Sequence, residues 1–134
     1  MAGLNETIRN SRLNVIRDAI DAGTGAGTLS VFSGTRPSTG GTETTLLGTL
    51  TFSDPSAPDA TGGVLTFNDI TEDSSADESG TASWARVEDG DGTFVMDLSV
   101  GESGSGADLI LNTTDIVAGG PIRVTSGTLT EGNE

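Results

Sequence analysis

The chain has 134 residues, and its six basic residues, all arginine, face 20 acidic residues, which gives a net charge of −14. It contains no cysteine, histidine, tyrosine or lysine, so disulfide frameworks, zinc–thiolate sites, Ser-His-Asp triads and Schiff-base lysines are excluded. Nucleic-acid binding depends on basic side chains that neutralise phosphates, so the acidic balance argues against a nucleic-acid partner. We expect a β-rich protein that is not an enzyme and uses no cofactor.

The N-terminal segment, residues 5–21, has the period of an amphipathic helix. Asn5 is a suitable N-cap, and Gly23 follows the C-terminal end, where glycine favours termination. Arg17 and Asp21 are four residues apart, so they lie on the same side of the helix. The apolar residues form a stripe along this helix: Ile8, Leu13, Val15, Ile16, Ala19 and Ile20.

Charge is distributed unevenly along the chain. Residues 1–36 contain four arginines and three acidic residues, a net of +1, whereas residues 37–134 contain two arginines and 17 acidic residues, a net of −15. The helix contributes Arg9, Arg12 and Arg17 to the basic side of this balance. Two interpretations stay open: an ordinary solvated helix face, or an arm that docks on an acidic neighbour.

After the helix, apolar residues alternate with a period of two, which is typical of strands. The connections between them are rich in Gly, Pro, Asp and Ser, the residues that favour turns. Seven strands are predicted, at residues 28–33, 46–53, 64–68, 81–88, 93–100, 108–112 and 122–130. This pattern predicts a mainly β fold, an antiparallel β-sandwich or jelly-roll-like barrel with one N-terminal helix. We divide the chain into a helical arm, residues 1–23, and a single β domain, residues 24–134.

The alternation also predicts which side chains face the core. Asp91-Gly92 predicts a hairpin between the fourth and fifth strands. Gly127 is interpreted as a possible bulge in the last strand. The residues expected to point inward are Leu46, Leu50 and Phe52 in the second strand, Leu65 and Phe67 in the third, Phe94, Met96, Leu98 and Val100 in the fifth, and Leu109 and Leu111 in the sixth.

Two acidic segments are the candidates for a cation site. The sequence Glu88 to Gly92 alternates carboxylates with glycines, as half of a calcium loop does, which makes Asp89 and Asp91 weak metal candidates. A hairpin turn is the favoured alternative. Residues 72–79 are the most acidic stretch, interpreted as a solvated loop or a weak cation or partner site.

The single tryptophan, Trp84, alternates with Ala85 and Val87 in the fourth strand and shares a face with Arg86. If Ala85 and Val87 face the core, Trp84 and Arg86 form an exposed pair suited to anchoring a partner, since both residue types are enriched at interface hot spots. In the other orientation, Trp84 is the centre of the core and the Arg86 head group reaches out to water.

Several strings occur together and in a fixed order: GAGTLSVFSGTRPSTGGT (25–42), LLGTLTFSDPSAP (46–58), DSSADESGTASWARVEDGDGT (73–93), GADLILNT (106–113) and VTSGTLTEGN (124–133). Together they resemble a family of small structural proteins encoded among the virion genes of tailed bacteriophages. The resemblance implies a virion structural protein, above all a capsid decoration, or cement, protein on the outer surface of the head. A head–tail connector or tail component is the alternative, followed by a carbohydrate- or cell-surface-binding adhesive domain.

The partners that this resemblance implies are the major capsid protein and copies of the chain itself, in a homo-oligomer such as a trimer. The apolar runs are far shorter than the roughly 20 residues that span a bilayer, so we expect no membrane partner. The candidate docking residues are Arg9, Arg12, Arg17, Trp84 and Arg86.

Overall fold

The computed structural model describes residues 3–130; residues 1–2 and 131–134, at the outer limits of the predicted arm and β domain, lie outside the described residues. The elements are α1 (Glu6–Ile20), β1 (Thr28–Ser33), β2 (Thr45–Thr51), β3 (Val64–Thr66), β4 (Gly80–Glu88), β5 (Phe94–Gly101), β6 (Leu109–Leu111), β7 (Asp115–Ile116) and β8 (Val124–Thr130). The prediction of a mainly β fold with one N-terminal helix is confirmed. The seven predicted strands are present, and β7 is an additional short one.

The strands hydrogen-bond in the order β2-β1-β4-β5-β6-β8-β3, with β7 beside the beginning of β4. The predicted hairpin is present, because β4 and β5 pair antiparallel. The prediction that the strands pair antiparallel is wrong at one position, because β5 and β6 pair in parallel, with Val100 opposite Leu109. The sheet is therefore mixed, and the sandwich or jelly-roll arrangement stays a prediction.

The helix begins and ends much as the sequence predicts. The Asn5 side chain accepts a hydrogen bond from the Ile8 N–H at 2.9 Å, and Gly23 has a φ of 83°, in the region that favours glycine. Asp21, four residues after Arg17, accepts the Ser56 N–H at 2.9 Å. Asp21 therefore fastens the end of the helix to the loop between β2 and β3.

Two β-bulges change the predicted inward faces. Phe32 of β1 pairs with Leu46 of β2, and Val31 of β1 pairs with Gly48 of β2. Leu47 is therefore the extra residue in β2. Leu47 is therefore the buried side chain, and Leu46 is exposed. The inward assignment of Leu46 is wrong because an extra residue reverses the alternation on one side of the bulge.

The second bulge lies at the start of β5. Val87 pairs with Met96 and Glu88 pairs with Phe94, which leaves Val95 as the extra residue. Val95 packs against the larger cluster of buried apolar residues, here called the main core, whereas Phe94 is exposed. The inward assignment of Phe94 is wrong for the same reason, while the buried side chains further along β5 confirm the rest of the pattern.

Gly127 does not mark the bulge in β8. The register shifts between Val124 and Ser126, so Thr125 is the extra residue. A Cβ at Gly127 would come within 3.1 Å of the Phe67 ring. Glycine at this position therefore allows the segment after β3 to approach β8 closely.

Apolar side chains form two adjoining clusters. The smaller one lies under α1 and contains Leu13, Ala57, Ala60 and Leu65. Ile16 of α1 packs against both clusters, and Ile20 belongs to the larger one, so α1 packs on the sheet. The division into arm and β domain stays a prediction. The larger cluster contains Ile20, Leu29, Val31, Leu47, Leu50, Phe52, Ala76, Ala82, Ala85, Val87, Leu98, Val100, Leu109, Leu111, Ile116 and Ile122.

Candidate functional site

The connection between β1 and β2, residues 34–44, is here called loop 34–44. It covers Trp84 on the face of the sheet opposite the main core. Trp84 is 0% exposed and stacks on Phe32 with ring centroids 4.3 Å apart and an interplanar angle of 14°. Its indole N–H donates to the Thr44 hydroxyl at 2.9 Å, and the Thr44 hydroxyl donates to the Ser33 carbonyl. The ring is therefore both packed and hydrogen-bonded, as a buried tryptophan requires.

Arg86 lies beside Trp84 and forms a buried ion pair across the β4–β5 ladder. Its Nε donates to one Asp97 oxygen at 2.8 Å and its Nη2 to the other at 3.2 Å, a two-point contact that suits guanidinium and carboxylate. The side chains are only 8% and 3% exposed. Arg86 also donates to the Gly41 carbonyl at 2.9 Å, while Asp97 accepts the Gly40 N–H at 3.0 Å. The pair thus holds loop 34–44 on the sheet.

This environment shifts the pKa of both the Asp97 carboxyl and the Arg86 guanidinium. Burial by itself would raise the pKa of Asp97, but hydrogen bonds from Arg86 and the Gly40 N–H outweigh it and lower that pKa. The hydrogen bond to Asp97 raises the pKa of Arg86. The Arg86 guanidinium also lies 5.2 Å from the ring centroids of Trp84 and Phe94, within the range of a cation–π contact.

These contacts decide between the two orientations of Trp84. The expectation of an exposed Trp84–Arg86 pair is wrong, because loop 34–44 covers that face while Ala85 and Val87 face the main core. The alternative is correct in burying Trp84, but the Arg86 head group pairs with Asp97 instead of reaching water. Neither side chain is accessible to a docking partner in this structure.

Asp89 and Asp91 organise the β4–β5 turn. One Asp89 oxygen accepts the N–H groups of Asp91 and Thr93, both at 2.9 Å, and Asp91 accepts the Thr24 N–H at 3.1 Å. This geometry matches the hairpin-turn interpretation. Within residues 3–130, no group of three or more Asp, Glu, His or Cys side chains is arranged to hold a metal ion.

The acidic segment before β4 is largely structural. Asp73 accepts the Thr49 N–H at 3.0 Å, and its backbone exchanges two hydrogen bonds with Ile122. The Asp77 N–H donates to the Leu47 carbonyl at 2.7 Å. The segment therefore joins the outer edge of β2 to the residues that precede β8, although the Asp77 side chain is exposed.

The three helical arginines differ in their surroundings. Arg17 contacts Asp59 at 2.6 Å and Asp18 at 3.0 Å, and the hydrogen bond to Asp59 raises its pKa. Arg9 donates to the Leu4 carbonyl at 3.3 Å and is half-buried. Arg12 is exposed. Arg17 and Arg9 are therefore engaged within the chain, and the interpretation of the helical arginines as a docking arm stays a prediction.

A polar stripe of α1 that was not predicted from the sequence holds the loop between β2 and β3. Asn10 accepts the Gly63 N–H at 2.9 Å, and Asn14 accepts the Ala60 N–H at 2.8 Å. Asp21 adds the contact to Ser56 described above. Polar residues at helical spacing beside the apolar stripe were the available signal for this contact.

The opposite side of α1 exposes apolar residues. Ile8 is 46% and Val15 is 65% exposed, so the single apolar stripe predicted for the helix is wrong at these two positions. Arg12 lies between them at helical spacing on the same face. We call Ile8, Arg12 and Val15 the outer helix face. It exposes two apolar side chains on a strongly acidic molecule.

A groove between β8 and the segment after β3 is lined by residues 67–70 and 124–127 and encloses about 50 Å³. Sites for small ligands typically measure roughly 300–1,000 Å³, so this groove is too small to enclose one. No helix within residues 3–130 is long and apolar enough to cross a membrane. In comparisons with family models, curated proteins and solved structures, the chain matches none.

Proposed function

We propose that this protein is a virion structural protein of a tailed bacteriophage, a capsid decoration protein that binds the outside of the head and stabilises the shell. The order of the sequence strings that resemble this family supports the role. The net charge of −14 also supports it, because an acidic surface suits the outside of a particle better than contact with packaged DNA. The proposal includes neither catalytic activity nor a cofactor.

The observation that carries this proposal is the outer helix face. Most apolar side chains of α1 pack on the sheet, yet Ile8 and Val15 remain exposed. We therefore propose that the outer helix face is a contact surface on the particle, either with the major capsid protein or with a neighbouring copy.

The test is occupancy on purified particles. Wild-type protein and the variant Val15→Asp are added to heads that lack the protein, and bound copies are counted by quantitative mass spectrometry. The matched control is Ser126→Asp, which adds the same charge at an exposed position on β8. We expect hundreds of wild-type and control copies per head, and at least a tenfold loss of bound Val15→Asp.

The copy number also separates the alternatives. A single ring of copies at the portal or tail would support a connector or tail component and contradict decoration. Binding to host-cell glycans without binding to heads would support an adhesive domain. The burial of Trp84 counts against that last function, because exposed aromatic rings are the usual platforms for sugars and this ring is fully covered.

A further inference from the structure

Loop 34–44 covers an aromatic pair that lies outside both apolar clusters. Phe32 and Trp84 are 1% and 0% exposed, yet neither belongs to the main core or to the smaller cluster under α1. They stack on each other on the opposite face of the sheet, and small separate clusters of this kind occur beneath long loops. No residue of loop 34–44 belongs to the main core, so the packing contribution of the loop is to cover this pair.

The loop buries little apolar surface of its own. Its sequence, GTRPSTGGTET, is polar and rich in glycine, and each of its residues is exposed or half-buried. Ordering such a segment costs conformational entropy, which the burial of its own side chains offsets only slightly. Segments with few buried apolar contacts are the ones that open while the rest of a protein stays folded.

The buried ion pair holds the centre of the loop. The Gly40 N–H donates to Asp97 at 3.0 Å, and the Gly41 carbonyl accepts from Arg86 at 2.9 Å. Arg86 and Asp97 belong to neighbouring strands of the sheet and bind each other at 2.8 Å. This pair, here called the latch, can therefore stay intact on the sheet when the loop leaves it.

Hydroxyl groups hold the two ends of the loop. The Ser83 hydroxyl donates to the Gly34 carbonyl, and the Thr44 hydroxyl accepts the Trp84 indole N–H at 2.9 Å. None of these four residues belongs to the main core. The attachment of the loop is therefore polar along its length and separate from the packing that holds the sheet together.

From these contacts we infer that loop 34–44 is a strap that opens as a unit while the sheet stays folded. Opening leaves Arg86 paired with Asp97, so neither charge loses its partner, and water replaces the hydrogen bonds of the loop. It exposes the ring of Trp84 beside Arg86, two residue types that are enriched at interface hot spots. The strap thus controls whether this face of the sheet is covered. The inference does not depend on the proposed function.

Hydrogen exchange of the full-length protein, followed by NMR, tests this opening. Trp84 is the single tryptophan, so its indole N–H reports on the contact with Thr44, while the backbone amide of Ala85, which lies between β1 and β5, reports on the sheet. We expect the protection factor of the indole N–H to be at least tenfold lower. Its exchange should not respond to low concentrations of denaturant, whereas exchange of the Ala85 amide should accelerate, because it requires far more surface to be exposed.

Two variants test the attachment of the strap. Thr44→Val removes the acceptor of the indole N–H, and Thr42→Val is the matched control, the same change at another exposed position of the loop. We expect at least tenfold faster indole exchange and stronger quenching of Trp84 fluorescence by acrylamide in Thr44→Val, with wild-type values in the control. Asp97→Asn weakens the latch and should increase quenching while circular dichroism shows a folded sheet.

Two results would overturn this inference. The indole N–H and the Ala85 amide could show equal protection and equal dependence on denaturant, in which case the loop leaves the sheet only when the whole protein unfolds. Alternatively, acrylamide quenching could be unchanged in both Thr44→Val and Asp97→Asn, so that the loop stays closed without these contacts. Neither result concerns binding to heads, so the proposed function stands or falls separately.

Discussion

The carboxylate of Asp97 is buried because Arg86 and the Gly40 N–H satisfy it. Removing one partner of such a pair leaves an uncompensated charge in a poorly hydrated site, which typically costs about 3–5 kcal/mol. We expect Asp97→Asn to lower the free energy of unfolding by roughly this amount and to loosen loop 34–44. Denaturant unfolding monitored by Trp84 fluorescence measures the loss.

Glu43 provides the matched control for Asp97. Its carboxylate is 51% exposed and lies 3.7 Å from Arg86, and exposed pairs contribute about 0–1 kcal/mol. Glu43→Gln should therefore change stability by less than about 1 kcal/mol. Equal losses in the two variants would contradict the assignment of Asp97 as the essential partner of Arg86.

The lowered pKa of Asp97 makes part of the stability dependent on pH. Below its ordinary pKa of about 3.9, the unfolded chain binds this proton more readily than the folded protein does, so stability falls as pH falls. The contribution is complete above about pH 4 and is lost as pH decreases through the lower, folded pKa. We expect the stability difference between wild type and Asp97→Asn to shrink across that acid range. Unfolding free energies measured from neutral pH downward test this, and a difference that is constant with pH would refute it.

At the scale of elements, the contact between α1 and the loop before β3 depends on polar side chains. Asn14 accepts the N–H of Ala60, and Ala60 is buried. Asn14→Ala would leave this N–H without its acceptor, and an unsatisfied buried donor costs about 1–3 kcal/mol. We expect destabilisation of that size together with faster hydrogen exchange at the Ala60 amide.

The comparison for Asn14→Ala is Ser11→Ala, an exposed position on the same helix. Exposed substitutions of this kind usually stay within about 0.5 kcal/mol. If the Ala60 amide exchanged at the same rate in both variants, the hydrogen bond from the helix would not be what protects it.

The sequence was most informative where side chains repeat regularly. The alternation predicted β1 at its observed bounds, and the cap at Asn5 predicted the start of α1. It could not locate the bulges at Leu47 and Val95, because an extra residue in one strand is defined by pairing with another strand. β7, with two residues, is too short to show a period.

The candidate site was harder to predict than the fold. The sequence grouped Arg9, Arg12 and Arg17 as docking candidates, but it could not show that Arg17 pairs with Asp59, which is distant in sequence. Likewise, loop 34–44 lacks the apolar pattern that would reveal it as the cover over Trp84. What the sequence did indicate is the charge difference between the helix region and the rest of the chain, together with the apolar character of Ile8 and Val15.

At the scale of the whole molecule, copies with a net charge of −14 repel one another when they crowd onto a shell. That repulsion extends about 8 Å at physiological ionic strength and about 3 Å at 1 M salt. An opposing effect would come from ion pairs made by the helix, which salt weakens. Arg17 is already paired with Asp59 and Asp18, and the outer helix face exposes chiefly the apolar side chains of Ile8 and Val15.

An apolar contact between mutually repelling copies should tolerate salt. We therefore expect occupancy on heads to stay constant or increase from physiological ionic strength to about 1 M NaCl, where the repulsion is screened. Bound copies are counted across a salt series at fixed pH for wild type and for Arg12→Gln. The two proteins should show the same dependence on salt, since one exposed ion pair contributes only about 0–1 kcal/mol. A steady loss of wild-type occupancy with rising salt, abolished in Arg12→Gln, would instead make the arginine ion pair the principal contact.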